Sequence, residues 1–454
     1  MTAPAVEILE PGPAEATQRA VAGTLRARGL RPGDRVAFAL GSSAALLTAV
    51  LGALRSGIVP VLLNATLLPA ERNLLVADAD PALVVTDPVE LERWAEGPEV
   101  ELAPHPLARP MHYTSGTTGR PKGVWSGLLG EDGARALFED EAELWDFGPG
   151  DTHLVCSPMY HSVSVRLAGG TLLRGGTVAV LTRFDPALAA GILAGREGGL
   201  RPSTTFLAPT ALQRLLAQPG LPDRLGDLRL LVHAGSHCPP ALKRAALDRV
   251  DPGVLWEFYG STEGQFTVCS PEEWLVRPGT VGRARPGRRL EVDGEGTIWC
   301  HAPGFARFEY WGDPGATARA WRGEAFTVGD LGRIDPDGYL FLDGRRDDLV
   351  ISGGVNVYPA EVEAALAEVA GVTEVAVFGV ADPDWGERVC AAVVGPADEE
   401  TLRRHAEEHL APYKRPKAYF HVGELPRTPT GKLRRRALPA RLGLAPGLDD
   451  APTP

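Results

Sequence analysis

Residues 112–125 read HYTSGTTGRPKGVW, His112 to Trp125, and gather three glycines, four aliphatic hydroxyls and one lysine into a short polar run. Glycine tolerates positive φ and lets the backbone approach a ligand closely, so successive N–H groups can converge on an anion. Thr114, Ser115, Thr117 and Thr118 add hydroxyl donors, and Lys122 adds a mobile point charge. A polyphosphate suits such a run; a flexible surface loop is the plainer reading. No G-K-[ST] closes it as in a Walker loop, and no G-x-G-x-x-G dinucleotide fingerprint occurs elsewhere. The rest of the chain decides between the two.

The 454 residues are enough for two or more domains with substantial cores. Hydrophobic content of 44% and charged content of 23% suit a globular enzyme. A net charge of −12 argues against a nucleic-acid or anionic-membrane surface. The one basic run, KLRRRALPAR after Gly431, reads as a solvated helix face. Five cysteines without a C-x-x-C read as reduced thiols, neither a disulfide framework nor a zinc site. The opening residues lack the basic and apolar regions of a signal peptide, and the longest apolar run, AALLTAVLGAL from Ala44, is too short to span a bilayer. A cytoplasmic chain, monomer or homodimer, is expected. Only five of its 46 basic residues are lysine: 122, 243, 414, 417 and 432. Such a chain keeps lysine where a thin ammonium does what a guanidinium fork does not.

From about residue 14 onward, apolar β-branched runs such as RVAFAL, VPVLL, ALVVT, HLVCS, TVAVL, TTFLAP and LRLLVHAG alternate with amphipathic stretches such as AALLTAVLGALRSG. This predicts an α/β domain built of α/β subdomains with mainly parallel, buried strands. Between about residues 280 and 343, short strands with tight turns predict a small antiparallel, barrel-like sheet. Beyond a charged turn, SGGVNVYPAEVE opens a helix with Pro359 in its first turn, and EVAVFGV, ERVCAAVVG and ETLRRHAEEHL complete a small α+β domain. The expected division is 1–346, a hinge at Asp347, a mobile domain over 347–440 and a disordered tail over 441–454.

Four further motifs follow the opening stretch in order: FYGSTEG (Phe258–Gly264), TVGDLGRIDPDGYLFLDGRRDD with Asp330 and Arg345, the SGGVNVYPAEVE segment, and PRTPTGK ending at Lys432. Together they resemble the adenylate-forming superfamily of acyl-CoA synthetases, aryl-CoA ligases and adenylation domains, over nearly the whole chain. The resemblance implies ATP- and Mg²⁺-dependent conversion of a carboxylic acid to an acyl-adenylate, followed by transfer to CoA. In such a reaction charge builds on the triphosphate, so catalysis is mostly positioning and electrostatics.

Carried over by motif, Thr114 to Thr118 (with Ser115, Gly116 and Thr117) and Lys122 clamp the β- and γ-phosphates. Thr262 donates to the α-phosphate, and Glu263 ligates Mg²⁺. Tyr259 and Gly260 on one side, and Gly235 and Ser236 on the other, flank adenine. Asp330 and Arg345 hold the ribose. Lys432 bridges the carboxylate and the α-phosphate. Asp347 is the hinge, Gly354 lines a pantetheine channel with Asn356 beside it, and His161 gates the acyl site, unless it is a satisfied loop histidine. The acyl pocket is expected from Tyr160–Leu167, Phe206–Leu212, His233–Cys238 and Gln265–Val268, with Tyr160, Arg166, His233, His237 and Gln265 as its polar groups. These predict a modest aromatic or polar-substituted acid. Two alternatives keep the scaffold: an amide-bond synthetase, or an ATP-dependent diazotase joining nitrite to an aromatic amine. A third is a non-catalytic nucleotide-binding protein. The N-terminal segment is shorter than is common in the family.

Overall fold

The computed structural model describes residues 5–114, 121–345, 348–352, 355–382, 385–427 and 433–444. The chain is mixed α/β and divides into two compact units. Met1–Leu290, Cys300–Phe326 and Gly338–Leu340 form the larger; Glu291–Trp299, Thr327–Asp337 and Phe341–Pro454 form the smaller.

The larger unit holds two six-stranded sheets. In the first, Thr177–Leu181, Thr152–Val155, Thr204–Leu207, Leu230–His233 and Leu255–Glu257 lie side by side and parallel. Their near-continuous apolar character follows from burial on both faces. Val6–Leu9, ahead of the region where the alternation begins, adds an antiparallel edge next to Thr177–Leu181. In the second sheet, Leu83–Val85, Arg35–Phe38, Val59–Leu62 and Met111–Thr114 run parallel. Lys122–Trp125 turns back antiparallel to Met111–Thr114, and Glu309–Tyr310 pairs with it in turn.

Helix Ala44–Arg55 is buried at ten of its twelve positions, Leu46 to Arg55, too many for a helix with one solvent face. It belongs to a core that takes side chains from both sheets: Phe38, Val61 and Met111 from one, Val155, Val178 and Val180 from the other. Helix Ser162–Leu173 joins the same core through Val165, Ala168 and Leu172. Helix Glu131–Trp145 buries Ala134, Glu141, Ala142 and Trp145, spaced to lie on one face. Gly170 admits the Phe147 ring so closely that a Cβ there would meet it at 2.5 Å, so only glycine fits. Short antiparallel strands follow, with Cys300–His301 opposite Ala325–Phe326 and Trp321–Arg322 beyond.

In the smaller unit, Glu374–Asp382 and Gly386–Val394 pair antiparallel over nine residues, and Ala418–His421 lies parallel to the second. Alternation sorts their side chains onto two covered faces. Val377, Val389 and Val393 pack with Val362, Leu366 and Leu402, while Phe378, Val380 and Cys390 pack with Leu425 and Leu438. Pro359 begins helix Pro359–Leu366, at the expected place. The basic run departs from expectation. It holds a 3-10 turn, Arg435–Ala437, and a short helix, Leu438–Arg441. Arg435 there is a half-buried cation, paired with Glu363 and Asp348 and donating to Val377 O at 2.6 Å. Those two carboxylates hold its guanidinium above its ordinary range against the opposing effect of burial.

All five cysteines are free thiols and buried. No helix among the described residues is long and apolar enough to cross a membrane. Of the tail, residues 445–454 lie outside the described part, as do Ser115, Gly116, Thr117, Thr118, the expected hinge residue Asp347, Gly354 and Lys432, and the side chains of Arg345 and Asn356.

Candidate active site

The antiparallel turn-back in the second sheet sets Thr114 directly opposite Lys122, so the two ends of the polar run are clamped together by strand pairing. Lys122 Nζ sits 5.0 Å from the centre of the Tyr310 ring. The Tyr310 hydroxyl donates to Glu263 Oε1 at 2.8 Å. Lysine of the polar run and acid of the FYGSTEG motif are therefore joined through one tyrosine. Glu263 is buried, and its second carboxylate oxygen accepts from no described residue. A single carboxylate with one open oxygen suits a divalent cation whose remaining ligands are phosphate oxygens and water. Among the described residues no group of three or more His, Cys, Asp or Glu side chains is placed to hold a metal by itself.

Thr262 and Glu263 sit on a tight turn. Gly260 bridges Gln265, and Ser261 N donates to Gly264 O at 2.9 Å. A Cβ at Gly260 would lie 2.8 Å from both Gln265 Cα and Gly264 O, so the turn closes only with glycine there. Arg109 fastens this turn from beneath, donating from Nη1 to Glu263 O at 3.0 Å and from Nη2 to Ala306 O and Arg307 O at 3.4 and 3.2 Å. Burial, with the positive field of Arg166, pushes the Arg109 guanidinium down to about 10, so it stays charged at neutral pH.

Thr262 and Gly264 open into a cavity of about 140 Å³ whose lining includes Leu51, Leu54, Leu137, Phe138, Val165 and Leu173. Its polar lining groups are Arg109, His112, Glu141, Ser162, Arg166 and Thr262. His112 Nδ1 lies 2.9 Å from Tyr160 O; a carbonyl only accepts, so that nitrogen carries the proton. Burial holds His112 neutral, its pKa lowered to about 4. Arg166 Nε faces Glu141 Oε1 at 2.9 Å, and its Nη2 donates to Gln265 Oε1 at 3.1 Å. Glu141 also accepts from Trp145 Nε1 at 2.8 Å and from Arg285 at 3.4 Å.

Of the residues expected to line the acyl pocket, Arg166 does so and Gln265 touches it through Arg166. Tyr160 contributes its carbonyl to His112, and its ring lies 4.5 Å from that of His161, the N-cap residue ahead of helix Ser162–Leu173. His233 is enclosed away from this cavity, beside a buried pair formed by Lys243 and Glu257, with Nε2 3.8 Å from Glu257. His237 is exposed, as are Gly235 and Ser236. Tyr259 is buried, its ring 4.9 Å from that of Phe266. In the smaller unit, Asp330 is buried at the start of strand Asp330–Ile334, and Arg345 ends strand Leu340–Arg345.

Residues 14–107 and 108–307 match the family described as AMP-binding enzyme, and residues 361–432 match the AMP-binding enzyme C-terminal domain. The chain is 31% identical to the long-chain-fatty-acid–CoA ligase FadD13 of Mycobacterium tuberculosis, over 92% of this chain and 90% of that protein. ATP-bound MatB from Rhodopseudomonas palustris superposes with a TM-score of 0.83 at 30% identity, covering 94% and 92% of the two chains. The amide bond synthetase McbA from Marinactinospora thermotolerans does so with a TM-score of 0.81 at 29% identity, covering 95% and 94%. With the motifs in order and both domains matched, the chain belongs to the AMP-binding enzyme family of the adenylate-forming superfamily and is an ATP-dependent, AMP-forming ligase.

Proposed function

We propose that this enzyme uses ATP and Mg²⁺ to convert a small carboxylic acid to its acyl-adenylate and then passes the acyl group to CoA. The joining of Lys122, Tyr310 and Glu263, on the same turn as the cavity-lining Thr262, carries the reading. An oxygen of the acid attacks the α-phosphorus, and the bond to the β,γ-pyrophosphate breaks with its electron pair. The CoA thiolate then attacks the acyl carbon and AMP departs.

In this scheme Lys122 meets the departing phosphates, Thr262 donates to the α-phosphate, and Glu263 holds Mg²⁺. That ion, when bound, neutralises phosphate charge. The Tyr310 hydroxyl fixes the Glu263 carboxylate. Tyr259 with Gly235 and Ser236 flanks adenine, and Asp330 and Arg345 take the ribose. Lys432 bridges carboxylate and phosphate, while a turn of the smaller domain about Asp347 brings Gly354 to the channel for CoA. These last assignments rest on the motif resemblance. A cavity of about 140 Å³ is close to the ~150 Å³ that accepts a benzene ring. A one-ring aromatic acid or a short polar-substituted acid therefore fits, acting as a small-molecule partner of a cytoplasmic enzyme.

Similarity to the amide bond synthetase supports a second reading, in which an amine replaces CoA as acceptor. Pyrophosphate release and product formation, with a panel of acids, amines and nitrite and with or without CoA, separate the two. Thioester formation is expected only with CoA; full product from acid and amine without CoA moves the reading to amide synthesis. Lys432→Ala is expected to lose pyrophosphate release while ATP still binds, and unchanged turnover would remove Lys432 from the chemistry.

A further inference from the structure

We infer that the open edge of the Arg166 guanidinium selects acids that carry, besides the reacting carboxylate, a second hydrogen-bond acceptor: a hydroxyl, a carbonyl or a further carboxylate. This rests on the acid-adenylating reading. The terminal nitrogens of Arg109 and both oxygens of Glu141, the other charged groups of the cavity wall, are already engaged. Both terminal nitrogens of Arg109 bond carbonyls, and Glu141 accepts from Trp145 and Arg285 and forms an ion pair with Arg166. Gln265, behind Arg166, accepts from Arg166 and Arg285 and donates to Thr267 O at 3.1 Å.

Arg166 differs. Its Nη2 donates to Gln265 and its Nε lies within ion-pair distance of Glu141 without an aligned hydrogen bond; its Cζ lies 5.3 Å from the centre of the Phe258 ring, and Nη1 meets no acceptor among the described residues. Its side chain keeps 27% of its surface open although it stands in the cavity wall. A guanidinium N–H facing an apolar cavity is under-satisfied until a ligand supplies an acceptor. A site of that kind discriminates against an analogue lacking the acceptor more strongly than apolar walls discriminate by size. Charge points the same way. Among the described residues, the cluster of Arg166, Arg285 and Arg288 pairs with two carboxylates, Asp140 and Glu141, leaving one positive charge in excess. An anionic acceptor therefore gains more than a neutral one.

The test compares benzoate, 4-hydroxybenzoate and terephthalate, and hexanoate with adipate, in the wild type and in Arg166→Met. Pyrophosphate release gives kcat/KM, and the shift in Tm on adding each acid gives binding independently of turnover. The wild type is expected to favour the acceptor-bearing acids by about tenfold or more, the worth of one such bond. In Arg166→Met the ratio falls to near one. Terephthalate ahead of 4-hydroxybenzoate assigns an anionic acceptor, the reverse order a neutral one; either supports the inference. A double variant, Glu141→Gln with Arg166→Met, removes both charges of the pair while Arg285 keeps Asp140, and is expected to lose the same preference. The inference is overturned if the wild type prefers the unsubstituted acids, if the preference survives in both variants, or if all acids weaken equally. Absence of pyrophosphate release with every acid would sink the adenylation reading instead, and the Tm shifts would still decide for or against Arg166.

Discussion

Two of the cation–carboxylate pairs in the larger unit have opposite characters. Lys243, on helix Pro240–Leu247, is fully enclosed: its ammonium meets Glu257 and lies 4.9 Å from the centre of the Trp274 ring. Arg166 meets Glu141 but keeps an edge on a cavity. Desolvation lowers the Arg166 pKa, with Glu141 opposing. The closed pair has no room for a ligand and ties a helix to strand Leu255–Glu257, whose chain continues directly into the FYGSTEG turn. Enclosure makes a charge pair a fastening; an open edge makes it a reader of whatever enters.

The sharpest way to break this contrast is Lys243→Met. It leaves Glu257 buried without its cation, and breaking such a pair costs about 3–5 kcal/mol. Urea unfolding is expected to show that loss, with much of it recovered in Lys243→Met combined with Glu257→Leu. Equal stability of wild type and single variant would mean that the closed pair fastens nothing.

Enclosed histidines sharpen the same point through pH. His112 and His153 are buried and neutral, each lowered to about 4 by burial from the usual 6.5. The unfolded chain takes up protons at these positions below pH 6.5, whereas the folded chain does so only near pH 4. Their contribution is therefore complete above pH 6.5 and is lost as the pH falls towards 4, by about 3 kcal/mol for each. His153→Gln, retaining a partner for Thr204 Oγ1, is expected to flatten the fall in unfolding free energy over that interval. An unaltered slope would show that His153 titrates alike in both states.

The smallest expected effect lies at the open end. Tyr310→Phe keeps a ring beneath Lys122 but removes the bond to Glu263, worth about tenfold in kcat/KM. Because the tyrosine acts through the carboxylate, the Mg²⁺ concentration for half-maximal rate is expected to rise, with kcat largely restored at saturating Mg²⁺. An unmoved Mg²⁺ dependence would remove Tyr310 from that role.

Much of this molecule is legible in its sequence because its signals are local. The seven apolar runs from RVAFAL to LRLLVHAG all become strands, and Pro359 starts its helix as the fixed φ of proline favours. Lys122 and Lys417 stand over aromatic rings, while Lys243 and Lys414 pair with Glu257 and Glu361. The lysine bias has no counterpart of its own, because arginines make the same kinds of contact, Arg35 over Trp311 and Arg201 with Asp227 among them. What stayed hidden is non-local. Arg109 reaches a carbonyl 154 positions away, Tyr310 bonds an acid 47 positions away, and Arg166 meets Glu141 across two helices. Neither residue of such a pair marks the other in the sequence. His233 shows the converse. Its position beside motif residues suggested a ligand contact, but it points inward from strand Leu230–His233 and is sealed.

The five buried cysteines turn this enzyme into its own unfolding clock. Burial raises the thiols of Cys156, Cys238, Cys269 and Cys300 to about 12 and that of Cys390 to about 11, so thiolate, the reactive form, is scarce in the native chain. An alkylating reagent that acts slowly relative to reclosing then reacts in proportion to the fraction of time each site is open. Four of these reporters lie in the larger unit and Cys390 in the smaller, so peptide masses from one labelling time course would give a separate opening free energy for each. The same enclosure should let the enzyme withstand mild oxidants that inactivate proteins with surface thiols.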